Sequence, residues 1–214
     1  MPEISGESNW LTVPEGRHTI GADPAATHFI FDNEKFAHEV RLPDFRIATR
    51  PVLAHEFNAF VSAGGYDADE YWTPDGLDWR SRDRSRLRRA KLDSLDGCSP
   101  NVPVCHVSLH EARAYCKWAG VRLPSEPEWE AAARAHNGLP HAGLVWEWTD
   151  SPFTPFRQFS ADPYREYSQP WFGDHHVLRG GSWLTHPDLK RPGFRNFYLP
   201  HRNDVFAGFR TCAV

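Results

Sequence analysis

The sequence predicts a loop-rich α+β domain, and three observations carry that prediction. Two helices have unmistakable starts: Ser108 with Glu111, and Ser125 with Glu128, each an S-x-x-E capping box ahead of a helix-forming run. Elsewhere the apolar residues fall in short runs of strand length, punctuated by 18 Pro and 15 Gly in 214 residues. The 14 Phe, 9 Trp and 6 Tyr supply rigid anchors able to hold irregular segments without long aliphatic elements.

The elements follow in order. LTVPEGRHTI, within Trp10 to Ile20, reads as a strand, a turn at Pro14-Glu15-Gly16 and a second strand. His38 to Thr49 alternates well enough for one further strand. His55 to Gly65 is helical, with Phe57, Phe60 and Val61 on one face and Gly64-Gly65 as the stop. YDADEYWTPDGLDWRS reads as an aromatic and acidic loop. Arg80 to Gly97 is strongly basic at first: a solvated loop or short helix, with a docking face for an acidic partner as the alternative. The two capped helices come next, the first closed by Gly120 and the second carrying Pro127 in its first turn. Short strands and long connections complete the chain, among them VWEWT, VLRGGSW, FRNFY and FAGFR. No repeat or low-complexity linker divides residues 1–214, so one domain is expected.

Composition excludes several functions. Lys and Arg number 24 against 28 Asp and Glu, a net charge of −4, and no long basic face suits nucleic acid. No apolar run approaches the length of a membrane span, and the first residues lack a signal-peptide pattern, so a cytoplasmic location is expected. Cys98, Cys105, Cys116 and Cys212 form no C-x-x-C pair and read as free thiols; a Cys98–Cys105 bridge is the alternative.

The chemistry-bearing residues concentrate near the end of the chain. Gly180 and Gly181 permit backbone geometry closed to other residues. Arg179, Arg195 and Arg210 need partners if buried. Glu147 points away from Trp146 and Trp148 along a strand, and an ion pair with Arg179 or Arg195 would satisfy it as a structural residue. No metal site is read from the histidines. Ser108 caps a helix between His106 and His110, so they share no helical face, and adjacent His175 and His176 in a strand point to opposite sides.

The string PVCHVSLHEARAYCKWAGVRLPSEPEWEAAAR followed by VWEWT, LRGGSW, FRNF and GFR resembles the formylglycine-generating-enzyme (sulfatase-modifying factor) fold, a variant of the C-type-lectin type. The resemblance runs from about Thr12 to Cys212. FIFDNEKFAHEVRLPDF, GGYDADEYWTPDGLDWR and ADPYREYSQPWFGDHHVLRGGSW look more narrowly like the C-terminal half of ergothioneine-type sulfoxide synthases and their selenoneine-type relatives. That resemblance implies an oxidoreductase using non-heme Fe(II) and dioxygen to join a thiol or selenium compound to histidine or its trimethyl betaine.

Two departures qualify it. The stretch LTHPDLKRPGFRNFY lacks the cysteine pair with which formylglycine generation binds copper, so that reaction is not expected. The synthases hold iron with histidines of an N-terminal four-helix domain that this chain is not expected to contain, so iron would come from a four-helix partner. The resemblance further implies that Tyr167 is a catalytic proton donor, with an aromatic loop anchor as the alternative, and that Asn203 and Asp204 contact the substrate's amino-acid end, with a plain Asn-Asp turn as the alternative; Trp171 is read as substrate-binding, and Arg195 either locks neighbouring loops or lines the pocket. It implies an exposed patch of aromatic and charged residues near Tyr167 and Asp204. It would place a structural calcium at Glu147, but the matching upstream position is Pro140, which argues against calcium. The rival expectations are a non-catalytic lectin-like module for a small molecule or protein, and a self-contained oxidoreductase.

Overall fold

Residues 1–82, 97 and 99–214 are described by a computed structural model. Most of the basic stretch and Cys98 lie outside these residues, and with them the expected docking face and the Cys98–Cys105 alternative.

Strand β1 (Trp10–Val13) and strand β2 (Gly16–Ile20) stand where the pattern placed them. The single strand expected from His38 to Thr49 is two, β3 (His38–Leu42) and β4 (Phe45–Ala48). They part at Pro43, which lacks the N–H a ladder needs and has a fixed φ. The break sends the halves to different sheets: β3 pairs with β2 from Gly16↔Leu42 to Ile20↔His38, and β4 pairs with β1.

Helix α1 (Ala54–Ser62) buries Phe57, Phe60 and Val61, as its periodicity predicts. The expected loop after it contains a second helix, α2 (Pro74–Ser81). Its start has a cap signature: the Gly76 N–H donates to Thr73 Oγ1 at 3.2 Å, and Pro74 occupies the first turn. Its apolar periodicity is too weak to show in sequence; Arg80 anchors it by donating to the Tyr66 carbonyl at 3.0 Å.

Helix α3 (Leu109–Ala119) and helix α4 (Glu126–Ala135) both carry their capping boxes. Ser108 N–H donates to Glu111 Oε2 at 2.8 Å, and Ser125 N–H to Glu128 Oε2 at 2.7 Å. Gly120 closes α3 at φ 67°, the left-handed conformation a glycine adopts freely. Between the helices lies β5 (Val121–Arg122), and after them come β6 (Trp146–Pro152), β7 (His176–Arg179), β8 (Asn196–Tyr198), β9 (Ala207–Gly208) and β10 (Cys212–Ala213).

One sheet has the order β1-β4-β10-β5, the β2–β3 ribbon stands apart, and a third sheet runs β8-β7-β6-β9. Two cores result. Phe57, Phe60, Tyr66, Trp72, Trp148, Leu178 and Phe209 pack around α1 and α3. Trp129 and Ala131–Ala133 of α4 pack on Val13, Ile20, Phe45 and Ile47. Both cores border β6: Trp148 enters the first, and Glu147 bonds Trp129 of the second. Gly208 is required where β9 crosses Val104, because a Cβ there would lie 2.2 Å from the Val104 carbonyl oxygen. No helix among the described residues is long and apolar enough to cross a membrane.

Candidate functional site

The glycine, arginine and aromatic run is wired into α4. Glu126 and Glu130 lie one helical turn apart and face inward. Arg179 NH2 donates to Glu126 Oε1 at 2.7 Å and to Glu130 Oε2 at 2.8 Å. Arg195 forks onto Glu126 at 2.5 and 3.0 Å and donates further to the carbonyls of Asn33 and Thr154. Its guanidinium also lies 3.9 Å from the ring centre of Phe156. Burial works against the Glu126 charge, but Arg195 and Arg179 outweigh it and hold the carboxyl below its usual range. Arg195 is 1 % exposed and directed to protein partners, so the geometry assigns it to the scaffold rather than to a pocket wall.

Glu147 is fully buried and forms the expected ion pair, but with a different partner. Arg179 lies directly across the ladder from it yet turns to α4, and Arg210 takes Glu147 instead, at 2.5 and 2.8 Å. Trp129 Nε1 adds a third bond at 2.7 Å, and Arg210 also reaches the Pro140 carbonyl at 3.1 Å. A guanidinium thus serves both positions that a calcium ion would have to share. Gly180 and Gly181 have φ of 88° and 87°, and a Cβ on Gly180 would lie 3.0 Å from Trp129.

Tyr167 is half-buried in a one-turn helix, Arg165–Tyr167. Its ring stacks on Phe31 at 4.3 Å and meets Phe197 edge-on at 6.0 Å. Burial, reinforced by the charges of Glu34 and Asp32, raises the phenol above its ordinary range, so it keeps its proton. Trp171 is 43 % exposed and rests edge-on against His175, which in turn meets Phe197. Tyr167 and Trp171 therefore belong to one aromatic surface, linked through Phe197 and His175. Nothing local in the sequence marks Phe31, His175 and Phe197 as partners of this surface, because they come from segments far apart in the chain.

Asp204 is exposed and forks with Arg202 at 2.5 and 2.9 Å, which holds its carboxyl below the usual range. Asn203 beside it is half-buried. Arg202 in turn covers the Tyr198 ring at 5.3 Å. Tyr198 and Phe197 are neighbours in β8 and point to opposite faces. Tyr167 meets Phe197 of that strand, and Arg202 covers its neighbour Tyr198.

Among the described residues no three His, Cys, Asp or Glu side chains come together to hold a metal ion. His110 stacks on Trp79 and His106 packs on Phe206. His175 bonds Asp174 at 2.6 Å, whereas His176 Nε2 accepts from Arg113 at 3.3 Å. Burial and the Arg113 charge lower His176 from 6.5 to about 4. The unfolded chain therefore binds a proton that the folded protein refuses. Folding stability should fall as pH drops through the window from about 6.5 to about 4. Urea denaturation of wild type and His176→Gln at pH 7 and pH 5 checks this: the variant should lose less stability between the two.

The chain matches the sulfatase-modifying factor enzyme 1-like domain over residues 5–140 and 138–213. It is 33% identical over 267 residues to the hercynine oxygenase of Mycolicibacterium smegmatis, with 98% of this chain and 61% of that protein covered. To the hercynine oxygenase of Mycobacterium tuberculosis it is 35% identical, covering 89% of this chain and 57% of the relative. The chain thus spans about three fifths of the length of these curated relatives. It is also 29% identical to the formylglycine-generating enzyme of Streptomyces coelicolor, covering 95% of this chain and 88% of that one. Among solved structures, PvdO from Pseudomonas aeruginosa superposes with a TM-score of 0.65 at 18% identity, over 95% of this chain and 93% of that one, a likeness of fold. Fold, motif order and relatives agree, and the chain belongs to the family of sulfatase-modifying factor enzyme 1-like domains.

Proposed function

We propose that this domain is the substrate-binding part of a dioxygen-dependent oxidoreductase acting on hercynine, the trimethyl betaine of histidine, or on histidine itself. The reaction is formation of a carbon–sulfur or carbon–selenium bond on the imidazole. The observation that carries this proposal is the 33% identity to a hercynine oxygenase across 98% of the chain. The family chemistry calls for Fe(II). The described residues offer no ligand set for it; the reading takes the metal from a four-helix partner domain or chain, and no step is derived through it.

Tyr167 is the proton donor: its phenol stays neutral in an aromatic setting, and its hydroxyl makes no hydrogen bond among the described residues that would compete for its proton. The exposed indole of Trp171 offers the kind of ring face that attracts a quaternary ammonium group. Asp204 stays ionised beside Arg202, so a substrate's ammonium and carboxylate ends could exchange with the partners of that pair. Formylglycine generation is not proposed. No cysteine lies between Gly181 and Thr211, and burial pushes the Cys212 thiol to about 12. Scattered cysteines without a disulfide framework suit a cytoplasmic setting.

Dioxygen consumption and product formation with hercynine, a thiol and ferrous iron provide the test, on the chain alone and with a four-helix iron-binding protein. Turnover is expected only with the partner. Turnover by the lone chain with stoichiometric iron would remove the partner from the scheme. Hercynine binding without turnover in any combination would leave a binding module.

A further inference from the structure

The helical turn Asp32–Glu34 lies wholly inside the protein, and its side chains are unequally served. Glu34 is held by Arg191 and by the Phe31 N–H at 2.8 Å. Asp32 is 1 % exposed, yet only its Oδ1 is used, accepting from Ser168 Oγ at 2.5 Å. Asp32 Oδ2 is sealed from solvent without a partner among the described residues, and so are both Oδ1 and Nδ2 of Asn33, which is 0 % exposed. A buried carboxylate without a cation is strongly unfavourable. The cations around this turn are committed elsewhere: Arg191 to Glu34, Arg195 to Glu126, and Lys35 to Asp162 at 2.7 Å.

We propose that this turn is a binding site for a hard cation of the calcium type, with Asp32 Oδ2 and Asn33 Oδ1 as its side-chain ligands. The unpaired acceptors are oxygens of a carboxylate and an amide, the donor types calcium takes alongside backbone carbonyls and water in flexible geometry. No imidazole or thiolate stands among them, against zinc or copper. A buried water could satisfy the Asn33 amide but would bring no positive charge to the Asp32 carboxyl. The site is separate from Glu147, whose two oxygens are occupied by Arg210 and Trp129. Its place also has a consequence. The Lys35–Asp162 pair, the Asp32–Ser168 bond and the Phe31–Tyr167 stack tie this turn to the segment 162–168. An ion here would fix the loop that carries Tyr167. The site does not depend on which reaction the domain serves.

The test uses the full chain, stripped with EGTA and desalted, then titrated with calcium chloride by calorimetry and thermal melting. One calcium per chain is expected, with Tm raised by about 5 to 10 °C at a hundredfold excess over the dissociation constant. Asp32→Asn and Asn33→Leu should each weaken calcium binding by about tenfold or more, as expected for loss of a ligand. If these variants fail to fold, terbium, a calcium mimic, reports on the otherwise intact site. Bound at this turn it lies beside Tyr167, so Tyr167→Phe should at least halve its aromatic-sensitised emission with unchanged stoichiometry. No binding and no Tm shift at millimolar calcium would show that the turn encloses only water. Equal calcium affinity in Asp32→Asn, or unchanged terbium emission in Tyr167→Phe, would place the ion elsewhere. Either result overturns the proposal.

Discussion

Tyr167→Phe is expected to lower product formation by about 10²- to 10⁴-fold, the span that loss of a positioned proton donor produces. Hercynine affinity should change little. The substitution removes one hydroxyl, which makes no hydrogen bond among the described residues. It keeps the ring that stacks on Phe31 at 4.3 Å and meets Phe197 at 6.0 Å. The fold should therefore survive with stability within about 0.5 kcal/mol of wild type. Single-turnover kinetics with the iron-bearing partner, alongside hercynine binding by calorimetry, separate the roles. Full activity in the variant would show that Tyr167 only anchors its loop. Loss of binding at unchanged turnover would make it a substrate contact instead of a proton donor.

Glu126→Ala should be the most destabilising single change in this region, by about 3 to 5 kcal/mol. The reason is what remains after truncation: Arg179 and Arg195, both fully buried, would lose the carboxylate they share. Arg179 would keep Glu130 at 2.8 Å, but Arg195 would keep only carbonyl partners and ring faces. At about 2 to 4 °C per kcal/mol for a chain of this size, the melting temperature should fall by about 6 to 20 °C. Because Arg195 adjoins Asn196 of β8, the strand that carries Phe197, the damage should reach the Tyr167 surface as well. A melt within 2 °C of wild type would show that the two arginines relax to other partners and that Glu126 is not the centre of the network.

Local signals were legible wherever the cause is local. The capping boxes at Ser108 and Ser125 satisfy helix N-termini within four residues, so sequence alone locates them. The apolar spacing of Phe57, Phe60 and Val61 likewise requires only one helix face. Pro43 was visible, but its effect depended on β3 and β4 having different partners. Helix α2 leaves little trace in the sequence because its cap, Thr73-Pro74, precedes a run with almost no apolar stripe, and much of its hold comes from Arg80 reaching back to Tyr66. The need of Glu147 for a cation followed from its place between two tryptophans; which arginine supplied it did not.

The sequence by itself determined the family, the α+β class, the capped helices and the loss of the cysteine pair, all of which rest on residue identity and short-range spacing. Only the tertiary structure decided the pairing of Arg210 with Glu147 and of Arg179 and Arg195 with Glu126. Those depend on contacts between residues up to 69 positions apart, as for Arg195 and Glu126. Interchangeable arginines carry no mark of their partners. Distance and burial in the folded chain choose among them, because a buried charge must take whichever opposite charge the packing brings within hydrogen-bond reach.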